Sequence, residues 1–573
     1  MKIALAQLNP TVGALEANHN RIIEMARQAE ARGATLVVFP EMAICGYPAR
    51  DLVEKPEFVA ESQQWLRRAS AAVPGVTLLC GCATPAPANT GKSVLNSALV
   101  LENGEIVFQQ SKMLLPTYDV FDESRNFAAA QQQKIWRWRG QRIAITICED
   151  AWNDKNYWPQ RRERRLYERD PVEELMRGGA DFLINISASP YSTGKVALRQ
   201  EMLGAIAREY SVPVLLANQV GGNDQLIFDG SSMVLGPDGT LRARAACFQE
   251  DLLVVEAADW RGEIRPAPDN ETTAIAEALV LGTRDYVRKC GFERVLLGLS
   301  GGVDSALTAA IAVQALGANH VRAVYLPSRY SSQSSADDAA AVARNLGIEL
   351  QTLSIEPLFA AAEASWREQL QAAAPHAADL ALQNIQSRLR CVALMAISNL
   401  TGALLLCTGN KSELAMGYCT LYGDMAGGLA VLADVLKTQV YNLARYWNRE
   451  REVIPESVLR KPPTAELKSN QRDQDDLPPY ELLDTVIRLY VEDYGNPDAI
   501  AQQLRVAPEL VRALIRRLDQ SEYKRQQAAP GLKLSRKAFG MGRRWPIAQR
   551  YEPPRVPGGC LPTDLVASLV GSQ

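Results

Sequence analysis

The stretch that decides the architecture is ERVLLGLSGGVDSAL, residues 293–307. The apolar run ERVLLGL (293–299) reads as a strand, the glycines and serines behind it as a turn, and the residues after them as the opening of a helix. A Gly-rich turn from a strand into a helix is where backbone N–H groups can surround a phosphate. The turn is neither G-x-x-x-x-G-K-[ST] nor G-x-G-x-x-G, and GNKS at 409–412 lacks the earlier glycine of a Walker loop. Such a turn also occurs as nothing more than a tight connection. Ser300, Asp304 and Ser305 sharpen the phosphate reading, because two hydroxyls can bind phosphate oxygens and a carboxylate can hold Mg²⁺ beside them.

Outward from this point, a helix over 273–289 comes before the strand, and RAVYLP (322–327) and IELQTL (348–353) follow as further strands with helices between them. That succession predicts a doubly wound parallel sheet. Upstream, proline, charge and turn residues replace the apolar periodicity in AADWRGEIRPAPDNET (257–272). A linker is therefore placed at 261–272, between a domain over 1–260 and a second over 273–573. In the first domain IALAQL (3–8), TLVVF (35–39), VTLLC (76–80), RIAITIC (142–148), DFLINI (181–186) and VPVLLAN (212–218) alternate with helical stretches such as 17–32. Turns at Asn103-Gly104 and Pro237-Asp238-Gly239 add hairpins. Strands, hairpins and helices in this mixture predict an α/β sandwich of sheets rather than one purely parallel sheet. From about 452 the tail carries KPPTAEL and DLPPYELL and then a basic segment, YKRQQAAPGLKLSRKAFGMGRRWP (523–546).

The composition fits an ordinary globular protein: 573 residues, 47% hydrophobic, 22% charged and a net charge of −3, enough chain for two large domains or several small ones. The charge gives no reason to expect a nucleic-acid or anionic-membrane partner. The N-terminal MKIALAQLNP is broken at Gln7, short of a signal-peptide core, and no apolar run reaches the ~18 residues of a membrane span. A cytoplasmic protein is expected. Its ten cysteines form no C-x-x-C pair, so free thiols are expected rather than a zinc or dithiol motif. The three histidines, His19, His320 and His376, show no metal-ligand spacing, and any nucleophile has to work without the usual histidine base.

Three strand-end residues can supply such a nucleophile: Glu41 after TLVVFP, Lys112 after the first hairpin and Cys148 after RIAITI. A nearby ammonium stabilises a thiolate, and a carboxylate can take its proton. On spacing alone each is equally at home in the structure, Cys148 as a small buried hydrophobe.

FPEMAICGYPARDL (39–52), SKMLLPTYDVFDESRNF (111–127), ITICEDAW (145–152) and NISASPYSTGK (185–195) resemble the nitrilase, or carbon-nitrogen hydrolase, superfamily over most of residues 1–260. The resemblance implies an α-β-β-α sandwich and a triad with Glu41 as proton acceptor, Lys112 stabilising the tetrahedral intermediate and Cys148 forming a thioester. It further implies that amide hydrolysis releases ammonia. The glutamine-using members imply Tyr118, Ser189 and Lys195 as substrate contacts and Glu149 as a partner for the amino group of glutamine. For Glu149 a solvated strand-end carboxylate is the alternative.

SGGVDS is similar to the pyrophosphate loop of the ATP pyrophosphatases. LPSRYSS (326–332), NIQSRLR (384–390), the segment 407–441, KPPTAEL (461–467) and DQDDLPPYELLD (473–484) together resemble the NAD synthetases. What this implies is adenylation of the nicotinate carboxylate of deamido-NAD by ATP, with Mg²⁺ as cofactor, and displacement of AMP by ammonia. Carried over by motif, Gly298, Leu299, Ser300, Gly301, Gly302, Val303, Asp304, Ser305 and Thr408 bind ATP, and Asp304 and Glu413 are the Mg²⁺ candidates. Asn384, Glu413, Asp424, Lys437 and Lys524 contact deamido-NAD, surface lysines being the alternative for Lys437 and Lys524. The basic stretch around 540–546 is expected to act as counter-charge to a phosphate-rich substrate. The resemblance also implies a homo-oligomer, and two strand-end sites on one chain suggest an enclosed route for ammonia between Cys148 and the SGGVDS loop.

Overall fold

The computed structural model describes residues 1–160, 166–375 and 377–554; His376 and Cys560 lie outside them. The chain forms two compact units, Met1–Glu271 and a second beginning at Thr272.

The first unit is built on two six-stranded sheets. One runs in the order Asp251–Glu256, Lys2–Gln7, Ala34–Val38, Thr77–Pro85, Val94–Glu102, Glu105–Ser111. The other runs Leu241–Arg244, Met233–Leu235, Val214–Asn218, Phe182–Ser187, Gln141–Ile147, Trp136–Trp138. Alternation sends Ile3, Leu5, Leu36 and Val38 of the first sheet and Ile143, Ile145, Ile184 and Ile186 of the second into one shared core. The opposite faces are covered by helices. Helix Leu15–Ala31 buries Leu15, Ile22, Met25, Ala26 and Ala29, a stripe at the 3.6-residue period, against the outside of the first sheet. Helix Lys195–Tyr210 does the same for the second sheet through Met202, Leu203, Ile206 and Ala207. The result is the α-β-β-α layering. Both predicted turns join neighbouring antiparallel strands, and Asn103 and Gly104 have φ of 50° and 85°, the left-handed pair that a two-residue hairpin requires.

The second unit carries a five-stranded, all-parallel sheet in the order Glu349–Thr352, Val321–Tyr325, Val295–Gly298, Leu404–Cys407, Leu429–Ala430. The chain leaves the central strand Val295–Gly298 in one direction and returns on its other side at Leu404–Cys407. That reversal opens a crevice at the carboxyl ends of these two strands. Helix Val303–Leu316 starts directly behind the first, and helix Lys411–Met416 behind the second. A helical layer, Tyr480–Val491, Pro497–Leu504 and Pro508–Gln520, packs around Leu483, Ile487, Val511 and Leu518.

His19 is a core residue, its Nδ1 2.9 Å from the Trp65 carbonyl oxygen. The described cysteines are all free. No helix among the described residues is long and apolar enough to cross a membrane.

Candidate active sites

In the first unit the sheet ends gather Glu41, Lys112 and Cys148, all almost wholly buried. Lys112 Nζ donates to Glu41 Oε1 and to Glu123 Oε1, each at 2.8 Å. Asn96 Nδ2 donates to the same Glu41 oxygen at 2.6 Å, and the Ala188 N–H donates to Glu41 Oε2 at 2.9 Å. Glu123 Oε1 also accepts the Tyr47 hydroxyl at 2.8 Å. The carboxylate of Glu41 is thereby fixed on both oxygens. Burial alone would lower Lys112, but Glu123, Glu41 and Cys148 around it raise it well above the ordinary lysine range, so it stays an ammonium. Burial, compounded by Glu41, pushes the Glu123 carboxyl up to about 7 against the pull of Lys112.

Cys148 follows strand Gln141–Ile147 with φ of 44°, a left-handed residue that turns the thiol off the strand and starts the short helix Cys148–Ala151. Asp150 sets this turn. Its Oδ2 accepts the Ile147 N–H, and its Oδ1 accepts the N–H groups of Met113 and Leu114, so one side chain ties the Cys148 turn to the residues directly after Lys112. Asn185 Nδ2 donates to the Cys148 carbonyl at 3.3 Å. Burial and the Glu41 charge push the thiol up to about 12, with Lys112 and the Ser187 hydroxyl opposing. The surroundings thus favour the thiol over the thiolate in the resting site.

Gly81 is required here. Its neighbour across the sheet end is the Glu41 backbone, and a Cβ at position 81 would lie 2.1 Å from Met42 N and 2.6 Å from Glu41 Cα.

Glu149 lies beside Cys148 and is buried, not solvated. It accepts the Tyr118 hydroxyl at 2.9 and 3.1 Å. Burial pushes its carboxyl up, while Lys112, Tyr118 and Lys195 draw it down. Lys195 opens helix Lys195–Tyr210, its ammonium 5.4 Å from the Trp152 ring centre and 5.9 Å from that of Phe121. Ser189 is buried and held through its N–H by Asn218 Oδ1 at 3.0 Å. Glu123, Asn96, Asp150 and Asn185 are site residues that sequence reasoning did not single out. The only signal for the first was its place inside the segment 111–127.

In the second unit a cavity of about 320 Å³ occupies the crevice. Gly298, Leu299, Ser300, Gly302, Val303, Asp304, Ser305, Thr408, Glu413, Asp424 and Lys437 line it. Gly301 has φ of 82° and lies so close to the Ser335 carbonyl oxygen, 2.3 Å from where a Cβ would stand, that only glycine fits. Ser300 and Ser305 hydroxyls bond each other at 3.1 Å and brace the turn. Lys437 Nζ is hydrogen-bonded to Asp304 Oδ2 and, at 3.5 Å, to Glu413 Oε1. Asn410 joins the same carboxylates: its Nδ2 donates to Asp304 Oδ1 at 2.8 Å, and its side-chain oxygen caps the helix carrying Glu413. Burial and Asp304 push Glu413 up to about 8 against the pull of Lys437. Asp424 accepts Ser387 Oγ and the Thr420 N–H, and burial raises it. Two clustered carboxylates form the donor set Mg²⁺ takes when phosphate oxygens complete its shell. No group of three or more His, Cys, Asp or Glu placed to hold a metal occurs among the described residues.

Asn384 and Lys524 do not line the cavity. Asn384 Oδ1 accepts the Thr420 hydroxyl, and Lys524 Nζ donates to the carbonyls of Gly417 and Cys419 at 2.7 Å each. Within the basic tail, two arginines are committed to internal partners. Arg543 is buried and donates to Asp519 Oδ1 at 2.9 Å and Glu522 Oε2 at 3.0 Å, with its guanidinium 4.3 Å from the Trp545 ring centre. Arg525 is spent on Glu522 and on the carbonyls of Leu414, Ala415 and Leu518. These two cations hold the tail to the helical layer and offer no counter-charge to a substrate.

Fold and sites thus define a two-part enzyme. Residues 2–261 match the carbon-nitrogen hydrolase family and residues 275–528 the NAD synthase family. The chain is 47% identical to the glutamine-dependent NAD(+) synthetase of Synechocystis sp. across 96% of its length and 99% of the relative's. It is 43% identical to that of Rhodobacter capsulatus across 96% and 98%. The solved glutamine-dependent NAD+ synthetase of Acinetobacter baumannii in complex with adenosine diphosphate superposes with a TM-score of 0.72 at 36% identity, covering 95% of this chain and 98% of that one. The chain belongs to the glutamine-dependent NAD(+) synthetases.

Proposed function

We propose that the chain makes NAD in two linked reactions, one in each unit. In the first, glutamine lies with its amino group toward Glu149, Tyr118 and Lys195 and its amide carbonyl at Cys148. As the sulfur–carbon bond forms, the thiol proton passes to Glu41, and the Lys112 ammonium offsets the charge that develops on the carbonyl oxygen. The carbon–nitrogen bond breaks, the proton leaves with ammonia, and water, deprotonated by Glu41, hydrolyses the thioester to glutamate.

In the second unit the backbone of 298–305 and Thr408 hold ATP, and the nicotinate carboxylate of deamido-NAD attacks its α-phosphorus, releasing pyrophosphate. A carboxylate does not accept ammonia until its oxygen becomes a leaving group, which adenylation provides. Ammonia then displaces AMP. Asp304 and Glu413 fit Mg²⁺ brought in by the nucleotide, which when bound offsets charge on the departing pyrophosphate. Lys437, freed from the two carboxylates, is placed to meet phosphate oxygens. Asp424 and, from outside the cavity wall, Asn384 and Lys524 remain candidates for contact with deamido-NAD.

The observation that carries this reading is the pairing of a buried Glu-Lys-Cys centre with a Gly-rich strand-to-helix crevice on one chain. The adenosine diphosphate held by the Acinetobacter baumannii relative supports the nucleotide assignment. We infer a cytoplasmic homo-oligomer that passes ammonia between its sites without release. NAD formation from deamido-NAD and Mg-ATP, with glutamine or ammonium as nitrogen source, tests the scheme. Cys148→Ala is expected to lose the glutamine reaction and keep the ammonium one. Absence of NAD from either source overturns the acceptor. Full competition by labelled ammonium against glutamine nitrogen overturns the enclosed passage.

A further inference from the structure

Residues 461–467, KPPTAEL, contain no helix or strand, yet all seven, Glu466 included, form part of the wall of the nucleotide cavity, as does Ser335. A loop placed there needs something to hold it. Glu466 reaches from the loop to the N-terminus of helix Gln333–Leu346. Its Oε1 accepts the hydroxyls of Ser332 at 2.8 Å and Ser335 at 2.7 Å, and its Oε2 accepts the Ser332 N–H at 3.3 Å. Ser332 is the N-cap of that helix, so the carboxylate meets an orphan backbone donor and the positive end of the helix dipole. From the other end of the loop Lys461 Nζ closes the ring, 3.2 Å from Glu466 Oε1 and hydrogen-bonded to Ser335 Oγ. Beyond it, Gln386 Nε2 donates to the Leu467 carbonyl at 2.9 Å.

Two further facts give the latch a purpose. Glu466 has φ of 49°, a left-handed conformation that a non-glycine residue keeps only where its surroundings enforce it. Ser335, which receives Glu466 through its hydroxyl, presents its carbonyl oxygen to Gly301 of the phosphate turn. One residue thus touches both the loop's anchor and the turn.

We propose that Glu466 is a positioning residue for the nucleotide: through Ser332 and Ser335 it fixes the strap 461–467 across the cavity in register with the turn at Gly301. The proposal rests on the nucleotide reading of that cavity. Burial alone would push the Glu466 carboxyl up, and the serine hydroxyls and Lys461 hold it below the usual range, consistent with a charged latch.

The experiment uses the full-length protein with Glu466→Ala, Glu466→Gln, Ser335→Ala and Ser335→Thr. With ammonium as nitrogen source, Glu466→Ala is expected to raise KM for Mg-ATP at least about tenfold, the loss of charge-assisted hydrogen bonds, while kcat at saturation changes less than about threefold. Ser335→Ala should shift KM in the same direction, and Ser335→Thr, which keeps the hydroxyl, should restore it. Without nucleotide, trypsin should cut Glu466→Ala faster at Lys468 and Arg472, and Mg-ATP should restore protection. Unchanged KM with unchanged proteolysis overturns the latch, as does a fall in kcat at constant KM. Should Glu466→Ala not fold, Glu466→Gln and Ser335→Ala carry the same comparison. If the wild-type protein binds no Mg-ATP, the nucleotide reading fails, and nucleotide-free proteolysis still decides the latch.

Discussion

Each unit contains a buried lysine shared by two carboxylates: Lys112 between Glu41 and Glu123, and Lys437 between Asp304 and Glu413. The charge pattern is the same, but the surroundings are not. Around Lys112 the carboxylate oxygens of Glu41 are all committed to Asn96, Ala188 and the lysine itself, and a thiol stands beside them. Around Lys437 the carboxylates front a cavity and a Gly-rich turn with backbone N–H groups to offer. The first arrangement fixes its carboxylate in a closed frame. In the second the lysine neutralises two acids that face a cavity, which under the proposed function are the groups a metal and a polyphosphate engage.

The largest effects should come from removing either lysine. Lys112→Met is expected to lower glutamine-dependent NAD formation by on the order of 10³-fold or more while sparing the ammonium reaction. Lys437→Met should lower both, yet leave alkylation of Cys148 intact. If each variant damages both reactions alike, the two triads are not independent centres.

Smaller, and confined to one site, is Glu149→Gln, which should raise KM for glutamine about ten- to a hundredfold and leave ammonium-dependent turnover alone. Equal loss with both nitrogen sources would remove Glu149 from substrate binding.

Glu123 sharpens the comparison through pH. Its carboxyl is raised to about 7 in the folded protein against 4.5 unperturbed, so the folded state binds the proton more tightly than the unfolded one. Its contribution to stability is full below about pH 4.5 and declines as pH rises toward 7. Thermal unfolding of Glu123→Gln should show a shallower fall across that window, a difference of on the order of 1–3 kcal/mol at its upper end. An unchanged pH slope would mean that Glu123 stays ionised beside Lys112 throughout.

The smallest catalytic effect should be that of Arg543→Met. It lowers Tm, because Asp519 and Glu522 lose a buried partner, but leaves KM for deamido-NAD unchanged. A raised KM would return the tail to the substrate.

What the sequence made legible was what short-range chemistry encodes. Asn103-Gly104 specified its hairpin because few residue pairs tolerate two left-handed positions, and SGGVDS announced a strand-to-helix turn for similar reasons. The partners of the Glu-Lys-Cys centre were harder to read: Asp150 and Asn185 lie inside the segments 145–152 and 185–195 without standing out there, Asn96 lies in none, and only the pairing of distant strands aims them inward. The burial of Arg543 was illegible for the same reason, since whether an arginine faces solvent or two buried carboxylates depends on how the helical layer packs.

Position 81 shows how far such dependence extends. Gly81 carries no functional group, yet any side chain there would displace the backbone that presents Glu41. In a saturation mutagenesis map scored on glutamine-dependent growth it should appear as intolerant as the nucleophile. The same map scored with abundant ammonium should show it as a position where change is allowed, so that nitrogen supply alone decides whether this glycine looks essential.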